Sequence, residues 1–183
     1  MIAGGRVRLR APEELDLPLI LAWQNDPEVW WLMDYERPFT IADVAASERR
    51  AKEEGHPYLI EVQGRPIGRI GLNQFRKRDR ICSLYVFIGE PDVWGMGYGT
   101  DAMMVLLADG FERFDLARVE LWSLADNERA IRAHRHCGFE IDARLPERSF
   151  KDGRFYDRVV MSVPRQRFSE AYAAWKASST GAI

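Results

Sequence analysis

The stretch Trp94-Gly95-Met96-Gly97-Tyr98-Gly99-Thr100 places a glycine at every second position between an apolar run ending at Ile88 and a helical pattern beginning at Thr100. Glycine lets the backbone approach a ligand closely, and the start of a helix offers N–H groups without partners together with a partial positive charge. The chemistry this suggests is the cradling of an anion; a tight strand-to-helix turn without a ligand is the plainer alternative. G-x-G-x-G is not the G-x-G-x-x-G of dinucleotide sites, and the Gly-Lys-Ser or Gly-Lys-Thr of a P-loop is absent. A second group is Asn127, placed to cap the helix that follows, and His134, two helical turns further along the same face. A third is acidic: Asp26, Glu28, Asp34 and Glu36 interleave with Trp30, Trp31 and Tyr35, which suits a cationic amine in charge and shape. The same pattern also describes a solvated acidic loop beside a pair of core tryptophans.

The elements that must position these groups follow from periodicity. Arg6 to Arg10 alternates as a half-buried strand with its arginine face in water. Asp16 before Leu17-Pro18 opens a helix that Asn25-Asp26-Pro27 stops, and a short second helix follows near Glu28. Thr40 with Asp43 forms a capping box for a third helix, ended by Gly55. Strands at Tyr58–Val62, Ile67–Phe75 and Ile81–Ile88 make an antiparallel meander. Met103, Leu106, Leu107, Phe111 and Phe114 mark one face of a helix that packs onto the sheet. Arg118 to Ser123 reads as a strand, Asn127 to Cys137 as a helix ended by Gly138, and Lys151-Asp152-Gly153-Arg154 as the turn between two last strands. This order argues an α/β fold with a mixed sheet.

Composition narrows the function classes. At 183 residues, 46% hydrophobic and 30% charged, the chain is an ordinary soluble mixture with room for one domain. Its longest apolar run, Ala102 to Ala108, is far short of the roughly 18 residues that cross a bilayer. A net charge of −2 offers no basic excess to nucleic acid or anionic lipid. The N-terminus has no apolar region of the secretory type, and two cysteines, Cys82 and Cys137, fit a reduced cytoplasm without a disulfide framework or a metal site. No membrane, nucleic-acid or metal partner is expected.

Trp94 to Thr100, with Tyr85-Val86-Phe87-Ile88-Gly89-Glu90 before it and Asn127-Glu128-Arg129-Ala130-Ile131-Arg132-Ala133-His134-Arg135-His136-Cys137-Gly138-Phe139 after it, resembles the two signature motifs of the GNAT N-acetyltransferases. The resemblance runs over about residues 5 to 163. It is nearest to the RimJ/RimL-like branch of ribosomal-protein, spermidine and aminoglycoside acetyltransferases, with further support from Trp23-Gln24-Asn25-Asp26-Pro27-Glu28-Val29 and Lys151-Asp152-Gly153. It implies a mixed, mostly antiparallel sheet flanked by helices, in which the parallel strands Ser83–Ile88 and Arg118–Ser123 diverge to admit acetyl-CoA. The resemblance places the pantetheine arm along Phe87, Ile88 and Gly89 and the pyrophosphate on the amides of Gly95, Met96, Gly97, Tyr98, Gly99 and Thr100. Trp94 stands where the general pattern has Gln or Arg, as it does in that branch. Asn127 would bond the pantetheine arm, with Ala130 and Ile131 packing beside it.

His134 stands where the family usually has the tyrosine that protonates the departing thiolate. An imidazole of pKa about 6.5 can serve a thiol of pKa about 8.5, although a helix histidine also serves as a plain hydrogen-bonding residue. His136, two residues on, points to another face, toward solvent. Asp34, Glu36 and Tyr85 are the acceptor-side candidates, and with Glu120 they are also the candidate bases. Cys137, at a helix end beside Gly138, packs inward rather than carrying the acyl group. The expectation is one N-acetyltransferase domain over 1–183, with a core at 5–163 and a tail at 164–183. It uses acetyl-CoA to acetylate a small-molecule amine or a protein N-terminus, with a homodimer as a further possibility. The competing class is a CoA-binding module without turnover.

Overall fold

The computed structural model describes residues 1–33, 35 and 38–180. Eight strands form one sheet: β1 (Ile2–Gly4), β2 (Val7–Arg10), β3 (His56–Val62), β4 (Arg65–Arg76), β5 (Ile81–Ile88), β6 (Arg118–Leu124), β7 (Glu140–Lys151) and β8 (Arg154–Pro164), in the order β1-β2-β3-β4-β5-β6-β8-β7. Every neighbouring pair is antiparallel except β5 and β6. These two pair only at Ile81 with Arg118, Cys82 with Val119 and Ser83 with Glu120. Beyond that point β5 keeps its register with β4 as far as Gly68 and Ile88, while β6 keeps its register with β8 as far as Leu124 and Arg158. Each strand stays with its antiparallel partner, so the two separate.

The alternation of side chains across β3 and β5 divides the core. Leu59 and Phe87 face one side, where α1 (Leu17–Asn25), α2 (Pro27–Leu32) and α3 (Ile41–Glu54) bury Ile20, Trp23, Val29 and Val44 against them. Ile60, Ile70, Leu72 and Leu84 face the other side, covered by α4 (Tyr98–Arg113), α5 (Glu128–His136) and α6 (Arg165–Thr180). The capping box read at Thr40 forms: its side chain accepts from the Asp43 amide, and Asp43 accepts from the Thr40 amide. Asp16, expected to cap α1, makes no cap bond because its carboxylate is held by Arg10 and the Glu13 amide, and Asp26, read only as a stop, accepts from the amides of Glu28 and Val29 to open α2.

Three features depart from the sequence reading. The first strand is half of a hairpin, because β1 is only three residues long and too short to show a period. Its arginines are ion-paired rather than simply wet: Arg8 and Arg10 both reach the buried Glu61, and Arg10 also binds Asp16 in two contacts at 2.6 and 2.7 Å. The segment after Pro164, expected as a tail outside the core, is the helix α6. Its Phe168 is buried and stacks on Phe111 at 5.0 Å, with Tyr172 and Trp175 continuing the stack. The core therefore extends past residue 163. Replacing Phe168 by Ala should cost about 3 kcal/mol, as expected for a buried aromatic side chain, and urea unfolding of the two proteins measures it.

Candidate active site

The gap between β5 and β6 opens into a cleft of about 600 Å³, within the range of small-molecule sites. Gly89 donates its N–H to the Ile67 carbonyl at 2.9 Å. By the alternation of an antiparallel ladder, Tyr85, Phe87 and Gly89 therefore spend their backbone groups on β4, and Val86 and Ile88 turn theirs toward the cleft. The cleft edge of β5 is thus a short unpaired strand on which an extended amide-bearing chain can lie. Of the three positions expected along this edge, Ile88 faces the cleft with its backbone. The Phe87 ring lines it, and Gly89 instead packs against Trp23, where an added Cβ would come within 2.3 Å of the indole.

At the end of β5 the chain turns through Pro91–Val93 into the glycine loop. Gly95 and Gly97 have φ of 80° and 84°, in the left-handed region that glycine tolerates best. Gly97 is the N-cap of α4 and supplies no side-chain cap, so the first amides of this 16-residue helix are left for a ligand. Nothing lies within 4 Å of where a Gly95 Cβ would stand, and the nearest atom to a Gly99 Cβ is on Ile88 at 3.8 Å. This open cradle at a helix N-terminus fits a pyrophosphate. Gly95, Gly97, Tyr98, Gly99 and Thr100 all line the cleft, whereas the Met96 side chain points to solvent. Trp94 does more than replace a lost side-chain contact. Its indole donates to the Ile88 carbonyl at 2.9 Å, and its ring carries the Arg129 guanidinium at 4.2 Å.

The opposite wall is α5. The Asn127 side chain accepts from the Ala130 amide at 3.1 Å, and the residue also lines the cleft, so its capping role does not remove it from the cleft surface. Ala130 lines the cleft, and Ile131 turns into the core. His134 is buried at the cleft wall with Nδ1 3.4 Å from the Met103 sulfur and its ring edge-on to Phe139. Burial without a charged partner pushes its pKa down to about 4, so the ring is neutral at physiological pH. This differs from the ordinary imidazole that the sequence suggests.

Arg129, Arg132 and His136 also line the cleft, and sequence reasoning missed them as a group. Their spacing of three and four residues marks one helix face, a signal that was available. His136 is exposed, yet it stands at the cleft mouth. Cys137 is buried with its thiol directed at the Thr100 carbonyl, and burial pushes its pKa up, which disfavours the thiolate.

On the side of α2, Val29, Leu32 and Met33 form the wall. Lys151, at the tip of the β7–β8 hairpin, fixes that wall by donating to the carbonyls of Trp31 at 3.0 Å and of Met33. Tyr85 lines the cleft with its ring flat against Gly71, and its buried hydroxyl has a pKa pushed up to about 12, chiefly by desolvation. Behind it lies a buried ion pair of Glu48 with Arg69 at 2.5 Å. Asp26 is spent on capping and Glu28 is exposed, while Asp34 and Glu36 lie outside the described residues. Glu120 sits where the strands are still paired, bound to Arg76 at 2.6 Å, and does not line the cleft. Among the described residues, no group of three or more His, Cys, Asp or Glu could hold a metal, and no helix is long and apolar enough to cross a membrane.

Comparison with known proteins bears on this geometry. The family model described as "Acetyltransferase (GNAT) domain" matches residues 6–140. The spermidine N(1)-acetyltransferase of Escherichia coli K12 is 24% identical over 171 residues, covering 92% of this chain and 91% of the relative. Among solved structures, the spermidine N-acetyltransferase of Vibrio cholerae in complex with CoA and spermine matches with a TM-score of 0.83 at 21% identity, over 90% of this chain and 98% of that one. A GNAT-family acetyltransferase from Bacillus anthracis matches with a TM-score of 0.78 at 17% identity, over 90% and 98% of the two chains.

Two measurements test the site. Gly99 has an ordinary φ and free space around it, so Gly99→Val should fold normally and still lower CoA affinity at least about tenfold by filling the cradle, as read by titration calorimetry. For His134, the folded-state pKa lies below the unfolded one of about 6.5. The unfolded chain therefore binds the proton first as pH falls from 6.5 to 4, and stability drops across that window. Between pH 7 and pH 5, wild type should lose about 2 kcal/mol more than His134→Gln in urea unfolding.

Proposed function

The chain belongs to the GNAT acetyltransferase family, and on that premise we propose that it transfers the acetyl group of acetyl-CoA directly to a primary amine carried by a polyamine, a protein N-terminus or an aminoglycoside. The observation that carries this reading is the single cleft in which the open edge of β5, the glycine cradle and His134 meet. Acetyl-CoA supplies the activated acetyl group. The residues of the chain bind it along β5 and the cradle, and the cleft-facing Ile88 N–H is placed to meet negative charge developing on the acetyl oxygen. The amine must arrive neutral, because only its lone pair can attack. The proton that the amine gives up equals the one that the sulfur gains, so turnover needs no outside proton.

His134 is the proposed donor to the leaving sulfur. At rest it is neutral, with roughly one ring in a thousand protonated at pH 7. Negative charge arriving on a neighbouring sulfur raises the affinity of the ring for a proton at the moment it is needed. Asp34 and Glu36 are proposed to meet the charge of the acceptor, and Tyr85 to contact its body. A second reading, a CoA-binding module without turnover, gains support from the same low pKa.

Thiol release from acetyl-CoA, measured with spermidine, an N-terminal peptide and an aminoglycoside, separates the two readings. Release with one of these amines is the expected outcome. CoA binding with no release for any of them would leave the binding module. In the active system, His134→Ala should lower kcat about 10²-fold with CoA affinity nearly unchanged. A normal kcat in that variant would return His134 to packing.

A further inference from the structure

Three segments far apart in the chain converge beneath the glycine loop. Asp101, in the first turn of α4, is buried and holds two partners: Arg6 donates from Nε to one carboxylate oxygen at 2.7 Å, and Trp175 of α6 donates from Nε1 to the other at 3.1 Å. The Arg6 guanidinium lies over the Tyr98 ring at 4.9 Å, and its Nη2 is 2.8 Å from where a Gly97 Cβ would stand. Trp175 in turn rests on the β1–β2 turn, where a Gly5 Cβ would come within 2.8 Å of the indole. The arrangement sets a cation against the positive end of a helix, which is electrostatically unfavourable unless negative charge is near. Asp101 supplies one such charge. The Arg6 side chain is still about half exposed, and the loop beside it presents unpaired amides.

We infer that Arg6, which lies outside both glycine-loop and α5 motifs, is a further cofactor-binding residue whose charge acts on the pyrophosphate, and that Trp175 is a positioning residue that holds Asp101 so that Arg6 stays at the cradle. This rests on the reading of the glycine loop as the pyrophosphate site. The guanidinium and the helix amides act on one dianion from two sides, which explains why a cation is kept where the helix alone would repel it. It also gives α6 a part in cofactor binding that packing alone does not explain.

The test compares CoA with S-acetylpantetheine, which lacks the pyrophosphate, by titration calorimetry on the full chain. Arg6→Gln should weaken CoA binding about tenfold and leave S-acetylpantetheine unchanged, because only the charge-assisted contact to phosphate is lost. Arg6→Lys should restore part of the loss. Trp175→Phe keeps the ring stack, loses the N–H, and should weaken CoA about threefold. The difference between wild type and Arg6→Gln should shrink as salt is raised, since the site is solvent-accessible. Unchanged CoA affinity in Arg6→Gln, or an equal loss for both ligands, would overturn the assignment in favour of a purely structural brace. If wild type itself binds both ligands alike, the cradle reading fails first and the role of Arg6 fails with it.

Discussion

Two parallel strands that stay paired for only three residues determine the rest of this molecule. In a sheet, each backbone N–H and C=O has to find a partner, and a strand that leaves its neighbour exposes a row of them. Here the loss is confined to one side, because β5 is fully engaged with β4 and β6 with β8. The β6–β8 ladder is unbroken from Arg118 to Leu124 and the β4–β5 ladder from Gly68 to Asn73, with an irregularity only between Asn73 and Arg76, so the unpaired groups beside the split stand on paired strands. The helix that follows β5 must start at the mouth of this split, which puts its unpaired amides beside those of the strand. The helix that follows β6 must close the other side, which brings Asn127 and His134 to face them. One departure from pairing thus brings the open strand edge, the glycine loop and His134 to one cleft.

The two faces of the sheet supply unlike surroundings to that cleft. The face under α4, α5 and α6 is almost wholly apolar, and this is why His134 is held neutral. The face under α1, α2 and α3 contains a polar island where, among the described residues, Arg69 Nε and the Tyr85 hydroxyl are buried without hydrogen-bond partners beside the Glu48–Arg69 pair. Unpartnered polar atoms of this kind cost free energy and keep a core from closing tightly. Burial raises the pKa of Glu48 despite the adjacent guanidinium, so desolvation outweighs attraction in that island. One side of the cleft is therefore backed by apolar packing and the other by a buried ion pair.

Much of this was legible in the sequence, and the reasons are local. The capping box of α3, the glycine loop and the bounds of β5 depend on residues next to one another, and they appear where spacing puts them. What was not legible depends on partners distant in the chain. The arginines of β2 look wet until Glu61 and Asp16 are brought to them, and Asp26 looks like part of an acidic ligand site until it is seen capping α2. Met96 and Ile131 share motifs with cleft residues but turn away, because a motif fixes backbone position and the helix phase decides where each side chain goes. The pKa of His134 belongs to the packing of Met103 and Phe139 around it and has no signature in its own neighbourhood of sequence.

The bond from the Trp94 indole to the Ile88 carbonyl has a consequence for how the cleft keeps its shape. That carbonyl keeps its second lone pair and the Val86 carbonyl also faces the cleft, so the edge of β5 retains acceptors beside the Ile88 N–H. One indole N–H thus works as a rivet, tethering the glycine loop to the strand while the strand edge keeps its capacity to bond.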